Sequence, residues 1–124
     1  MTYISVESYL GKTPLSSLSP ECIANMNTLI PAINELMDRY GEQFIMTSGF
    51  RNPEHNKKVG GSPNSNHCKA AAIDIADGDG KLNKWLKLHP EILQELSLYC
   101  EERQGGWQHI QCISPRSGKR WFFP

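Results

Sequence analysis

The chain has 124 residues, 39% hydrophobic and 21% charged, with 13 Lys plus Arg against 13 Asp plus Glu and a formal net charge of zero. That length suits one domain with one core, and the ordinary composition excludes disordered, collagen-like and coiled-coil chains. The balanced charge lacks the basic excess of a duplex-DNA binder, and the one basic cluster, Arg116, Lys119 and Arg120, reads as a solvated turn because nucleic-acid patches are denser runs.

Residues 1–19 read as an irregular segment, with Pro14, Ser16, Ser17 and Ser19 as turn formers. The stretch MTYISVESYLGKT has no basic region followed by an apolar run, so no secretory signal is expected and synthesis is expected in the cytoplasm. Ser19, Pro20 and Glu21 form an N-cap with proline at the first helical position. Ile23, Met26, Ile30, Ile33 and Met37 then recur at helical spacing, so the pattern predicts a helix over 20–40, kinked or split at Pro31 and stopped at Gly41.

Residues 44–47 read as a short strand, and Ser48 through Ser65 as a polar loop. Residues 70–76 are apolar except for Asp74 and read as a buried strand. Residues 81–88 and 90–102 look helical, 107–113 alternates as a strand, 114–118 is a turn, and 120–123 a final strand. Helices and strands that do not alternate regularly predict an α+β fold, a single domain over 1–124. No apolar stretch approaches the roughly 18 residues of a membrane span. Cys22, Cys68, Cys100 and Cys112 show no CxxC pair, so reduced thiols are expected.

The most informative stretch is Ser65-Asn66-His67-Cys68-Lys69-Ala70-Ala71-Ala72-Ile73-Asp74. Asp74 sits between Ile73 and Ile75 in an apolar strand, and a buried carboxylate is costly unless paired or bound to metal. A strand-end aspartate capping a loop would account for it equally well. Further on, Gly105-Gly106-Trp107-Gln108-His109-Ile110-Gln111 places Trp107, His109 and Gln111 on one strand face. Imidazole and carboxylate are ordinary zinc ligands, and catalytic zinc keeps three protein ligands plus water. A lone strand histidine is otherwise a packed, hydrogen-bonded residue.

Three segments in order decide between these readings: Ser48-Gly49-Phe50-Arg51, Ser65-Asn66-His67 through Asp74, and Trp107-Gln108-His109. With the runs SGFRNPEHNKKVGGSPNSNH and GGWQHIQCISPRSGKRWFFP they resemble the zinc D-alanyl-D-alanine carboxypeptidase and L-alanyl-D-glutamate endopeptidase family. The likeness is to its VanY-like, phage-type branch and runs from about residue 20 onward. One departure is Ala70, where the family has glycine three residues after the histidine.

The resemblance implies a Hedgehog/DD-peptidase-like fold, an antiparallel sheet with helices packed on it. It also implies Zn²⁺ held by His67, Asp74 and His109, and a peptidoglycan hydrolase acting on stem peptides, as a lysis enzyme or virion component at the cell wall. Arg51 would stabilise an oxyanion or bind a substrate carboxylate, and Ser65 would orient substrate or loop backbone. Asn64 and Gln111 are possible helpers. For the general base, the resemblance favours Glu101, while a helical wheel favours Glu102; Glu101 is the choice. Asp77 and Asp79 are next in line. His55 and His89 read as surface residues, and Cys68 as facing away from the site. Trp107 reads as packing or cleft wall, and Trp85, Trp121, Phe122 and Phe123 as core. A monomer without nucleic-acid or membrane partners is expected. The competing readings are a zinc-containing, non-catalytic wall-peptide-binding module and a structural phage protein; the full ligand set together with Arg51 argues against the latter. Which stem-peptide bond is cut stays open, because both activities use the same metal site.

Overall fold

The computed structural model describes residues 3–62, 64–103 and 105–124. Expectations that fall on residues 1, 2, 63 and 104 lie outside the described residues.

The longest element is helix α2, Pro20–Tyr40. Ser19 caps it by accepting from the Cys22 N–H, Pro20 opens it, and Gly41 closes it in the left-handed conformation (φ 79°). Its inward stripe, Met26, Leu29, Ile30, Ile33, Leu36 and Met37, is buried. Each such side chain contributes roughly 1.5–3 kcal/mol by leaving water. Pro31 lies inside the helix on its exposed side and does not split it.

The sheet has the order β1-β2-β4-β3-β5, with β1 at Met46–Ser48, β2 at Ala72–Ala76, β3 at Tyr99–Glu101, β4 at Trp107–Gln111 and β5 at Trp121–Phe122. The α+β expectation holds. The sheet is antiparallel except at its edge, where β5 runs parallel to β3. Side chains alternate between its faces. Ile73, Ile75, Cys100 and Ile110 join the core cluster with α2 and with Leu82, Leu86, Ile92 and Leu93. The last four come from helices α4 (Lys81–Leu88) and α5 (Pro90–Leu96). The opposite face carries Asp74, His109 and Glu101.

Three expectations need correction. The N-terminal segment is not irregular throughout. Helix α1, Val6–Leu10, is capped by Ser5 in a capping box with Ser8, and a 3₁₀ turn follows at Leu15–Ser17. Asn34 ties the segment down by accepting from the N–H groups of Tyr3 and Ile4, both at 2.8 Å. Tyr9 is buried, and its hydroxyl donates to the Ala72 carbonyl at 2.7 Å. Such an anchor is long-range and leaves no periodic trace.

The polar loop after Ser48 contains helix α3, Pro53–Lys58, capped by Asn52. It repeats the cap-proline-glutamate pattern seen at Ser19, but has no apolar stripe to announce it.

Finally, 90–102 is not one helix. Helix α5 ends at Leu96, Ser97 turns the chain in the left-handed region (φ 55°), and Tyr99–Glu101 is strand β3. Pairing with β4 and β5 outweighs local helix propensity there.

Candidate metal centre

The cross-strand pairing of β2 with β4 sets Asp74 directly opposite His109. His67 arrives from the turn before β2. That turn is closed by Cys68 N–H to Ser65 O at 3.0 Å and Ala71 N–H to Asn66 O at 2.9 Å, and it returns the chain through Ala70 at φ 56°. A left-handed non-glycine residue costs roughly 1–2 kcal/mol, which gives a physical reason for glycine at this position in similar sequences. The ligand atoms of His67, Asp74 and His109 all lie within 4.8 Å of one another. His67 and Asp74 are buried, and His109 is nearly so.

Hydrogen bonds assign one N–H on each imidazole. His67 Nδ1 lies 2.8 Å from the Gly49 carbonyl, which can only accept, so Nδ1 carries the proton and Nε2 the lone pair. The Gln111 amide donates to the Ile113 carbonyl at 2.7 Å, turning its oxygen toward His109 Nε2 at 2.8 Å. His109 Nε2 therefore carries a proton, and in the neutral ring the lone pair lies on Nδ1. Both lone pairs meet the same carboxylate oxygen: Asp74 Oδ1 is 3.1 Å from His67 Nε2 and 2.9 Å from His109 Nδ1.

Three such atoms converging on one point suit a cation. His67 Nε2 is buried with no hydrogen-bond partner of its own, which is expensive unless something else satisfies it. Ligands at about 2.0–2.1 Å from a tetrahedral zinc lie about 3.3 Å apart, close to the separations seen. A histidine ligand ordinarily donates its other ring N–H to a carbonyl or carboxylate; here both imidazoles donate to fixed amide oxygens. The donor set is consistent with a Zn²⁺ site. Burial by itself would raise the Asp74 pKa, but the two imidazoles against it hold it below the ordinary carboxylate value. Burial likewise would lower the His109 pKa, and the Asp74 carboxylate reverses that. The pocket thus favours positive charge.

Two charged groups border the cluster. Arg51 donates from Nε to the Ser48 hydroxyl at 2.9 Å and from Nη2 to Asp74 Oδ2 at 3.4 Å. Its guanidinium so holds the carboxylate oxygen that the histidines leave free. Glu101 comes level with His109 when the β3–β4 register is continued by one residue. It is half-buried, and burial pushes its pKa up; His109, Asp74 and His67 supply the charges that act on it. Glu102 lies one residue past the end of β3. Lys87 holds its carboxylate at 2.7 Å. The helical-wheel argument for Glu102 falls with the helix it assumed.

The Peptidase M15 model matches residues 12–111. The chain belongs to that family of zinc peptidases. Members of that family are metallopeptidases, and the donor set agrees with a metal site. A curated Bos taurus protein, alpha-1-acid glycoprotein, is 48% identical over 46 residues, covering 36% of this chain and 22% of that protein. The chain therefore spans about a fifth of that relative's length, and so short a segment shows no shared family. No solved structure matches.

The remaining sequence candidates distribute as follows. Ser65 accepts from the His67 N–H at 3.2 Å and so shapes the ligand turn. Gln111 orients His109, a role only loosely foreseen for it. The Gly49 carbonyl was missed. Its signal is the glycine itself, since a Cβ there would lie 2.5 Å from the Tyr9 carbonyl. Asp77 and Asp79 are occupied elsewhere: the Asp77 carboxylate accepts from Leu82 and Asn83 N–H at 2.9 Å each, and Asp79 accepts from the Lys81 N–H at 3.0 Å. His55 is exposed, and His89 is half-buried on Trp85 with ring centroids 4.5 Å apart. Phe123 is 79% exposed, and Trp85, Trp121 and Phe122 are half-buried, so the aromatic residues expected in the core sit at its margin or outside it. For Trp121 and Phe122 the reason is that a short, parallel edge strand leaves its side chains at the margin.

Proposed function

We propose that the protein is a zinc-dependent peptidase that hydrolyses a peptide bond in peptidoglycan stem peptides, acting at the cell wall after release by lysis or from a virion. The observation that carries this reading is the pair of imidazoles with one nitrogen each locked as a donor and the other aimed at Asp74. His67, Asp74 and His109 would hold the ion. Bound there, zinc would supply Lewis acidity and a water of lowered pKa.

In this reading the protein's own groups do the rest. Glu101 takes a proton from the attacking water and returns it to the leaving amine; its half-buried carboxylate, raised in pKa, is suited to both. Arg51 turns its fork to the negative charge developing on the carbonyl oxygen, or to a substrate carboxylate beside it. Ser65 keeps the His67 turn in register. The bond is D-alanyl-D-alanine or L-alanyl-D-glutamate, two outcomes of one site with different clefts.

Metal analysis and digestion test the reading together. One zinc per chain is expected in the purified protein, lost in His67→Ala and in His109→Ala. Mass spectrometry of digested peptidoglycan should show a single new terminus that identifies the bond. Unchanged zinc content in both alanine variants would remove the assigned site; zinc without any cleavage would remove the peptidase.

A further inference from the structure

A groove of about 920 Å³ opens beside the metal centre. Its inner wall is the centre's own support. Gln111, which holds His109, and Asn66, which precedes His67, both line it. Phe122, also in the wall, stands edge-on to the His109 ring with centroids 6.2 Å apart. The outer wall comes from the 115–124 tail, including Arg116, Lys119, Trp121 and Phe123.

The charges in and around this groove are unequally committed. Glu102 lines it but is neutralised by Lys87, whose ammonium also lies 4.3 Å from the centre of the Trp121 ring. Arg120 is occupied too, lying over the Tyr99 ring at 4.4 Å and donating to the Leu98 carbonyl. Among the described residues Arg116 and Lys119 enter no ion pair. Both are exposed on the rim. The groove thus presents two uncommitted positive charges beside aromatic side chains, next to the residues that support the metal centre. Local charge of one sign in a cleft concentrates the opposite charge on its ligand, and guanidinium and ammonium groups are the usual partners of carboxylates.

We infer that this groove is a subsite for a carboxylate-bearing stretch of the substrate peptide, with Arg116 and Lys119 as its counter-charges and the aromatic residues packing against its aliphatic parts. The inference rests on the peptidase reading for the identity of the peptide. It adds a specificity element from residues 112–124, beyond the stretch matched by the family. Arg116 and Lys119 bind substrate in this scheme and take no part in bond cleavage.

The test compares two synthetic stem peptides that differ only in one glutamyl carboxylate, free in one and amidated in the other. Binding to the zinc-loaded full chain carrying Glu101→Gln is followed by tryptophan fluorescence and calorimetry. The acidic peptide should bind about tenfold more tightly at low salt, since two exposed ion pairs together amount to about that factor. The difference should shrink as salt is raised. Adding Arg116→Gln and Lys119→Gln should abolish the preference while leaving affinity for the amidated peptide and the circular dichroism spectrum unchanged. Equal affinity for the two peptides overturns the inference, as does a preference that survives the double substitution. Competition by an uncharged N-acetylglucosamine oligomer, with no response to the carboxylate, would overturn it in favour of a glycan groove. The two readings fail separately. Preferential binding without cleavage by the wild type leaves the subsite and removes the peptidase, and cleavage without preference does the reverse.

Discussion

At the scale of single residues, Glu101 and Glu102 are chemically identical neighbours with opposite surroundings. Glu101 shares the electrostatic environment of the metal cluster, whereas Glu102, past the end of β3, is bound to Lys87. Glu101→Gln should keep the shape and nearly all the zinc, because the amide is isosteric and Glu101 is not in the donor set. Wall-lytic turnover should fall on the order of 10²–10⁴-fold, the usual contribution of a general base. Glu102→Gln should be near wild type in activity, and its lost surface ion pair is worth about 0–1 kcal/mol in stability. Turbidity assays on cell-wall suspensions, with zinc measured in parallel, separate the two; loss only at 102 would reverse the assignment. Arg51 is the second case. Its fork reaches Ser48 and Asp74 from different nitrogens, a geometry that lysine cannot copy. Arg51→Lys should therefore lower kcat, by about 10²-fold if the guanidinium serves a developing oxyanion, with zinc content and melting temperature little changed. Full activity would mean the residue acts as a simple charge or not at all.

At the scale of elements, two local features work against stability. Pro31 occupies the exposed side of α2, where its ring removes one backbone hydrogen bond and crowds the preceding turn. The buried stripe on the other side is strong enough to keep the helix continuous through it. Pro31→Ala should raise stability by about 1–3 kcal/mol, seen as a higher urea midpoint at unchanged slope; an unchanged midpoint would mean that the helix has already relaxed around the ring. Ser97 closes α5 in the left-handed region. Glycine there removes a steric cost of roughly 1–2 kcal/mol and adds back about 0.5–1 kcal/mol of chain entropy. Ser97→Gly should gain about 0.5 kcal/mol in the same measurement, and a loss of stability would show that the serine side chain is needed in that turn.

At the scale of the whole molecule, the metal centre joins parts of the chain that are distant in sequence. His67 comes from a loop tied to the β1 end through Gly49, Asp74 from β2 and His109 from β4. An ion held there binds the folded chain alone and stabilises it by mass action, about 2.7 kcal/mol at a free concentration 100 times Kd. For a chain of this size that corresponds to roughly 10 °C in Tm. Chelation should lower Tm by about that amount without unfolding the protein, because the apolar core lies on the opposite face of the sheet and does not depend on the ion. In His109→Ala the chelator should have no effect in scanning calorimetry. Collapse of the wild type on chelation would make the metal a structural requirement.

Much of this protein was legible in local sequence. The caps and apolar spacing of α2 mark it from Ser19 to Gly41 because helix signals are short-range, and the apolar run around Asp74 and the alternation around His109 mark two of the strands. The donor types at 67, 74 and 109 were readable because a carboxylate in an apolar strand is unusual and the surrounding motifs resemble a known family. What only the tertiary structure decided depends on partners far along the chain. Residues 99–101 form a strand because β4 and β5 flank them, and that pairing, invisible in a helix-like stretch, is what brings Glu101 level with His109. Helix α1 persists because Tyr9 reaches Ala72 and Asn34 holds the segment before it. The tautomers of the two histidines, and hence the direction of their lone pairs, follow from the Gly49 carbonyl and the Gln111 amide. A carbonyl has no residue type to read and an amide no fixed orientation until the fold supplies one.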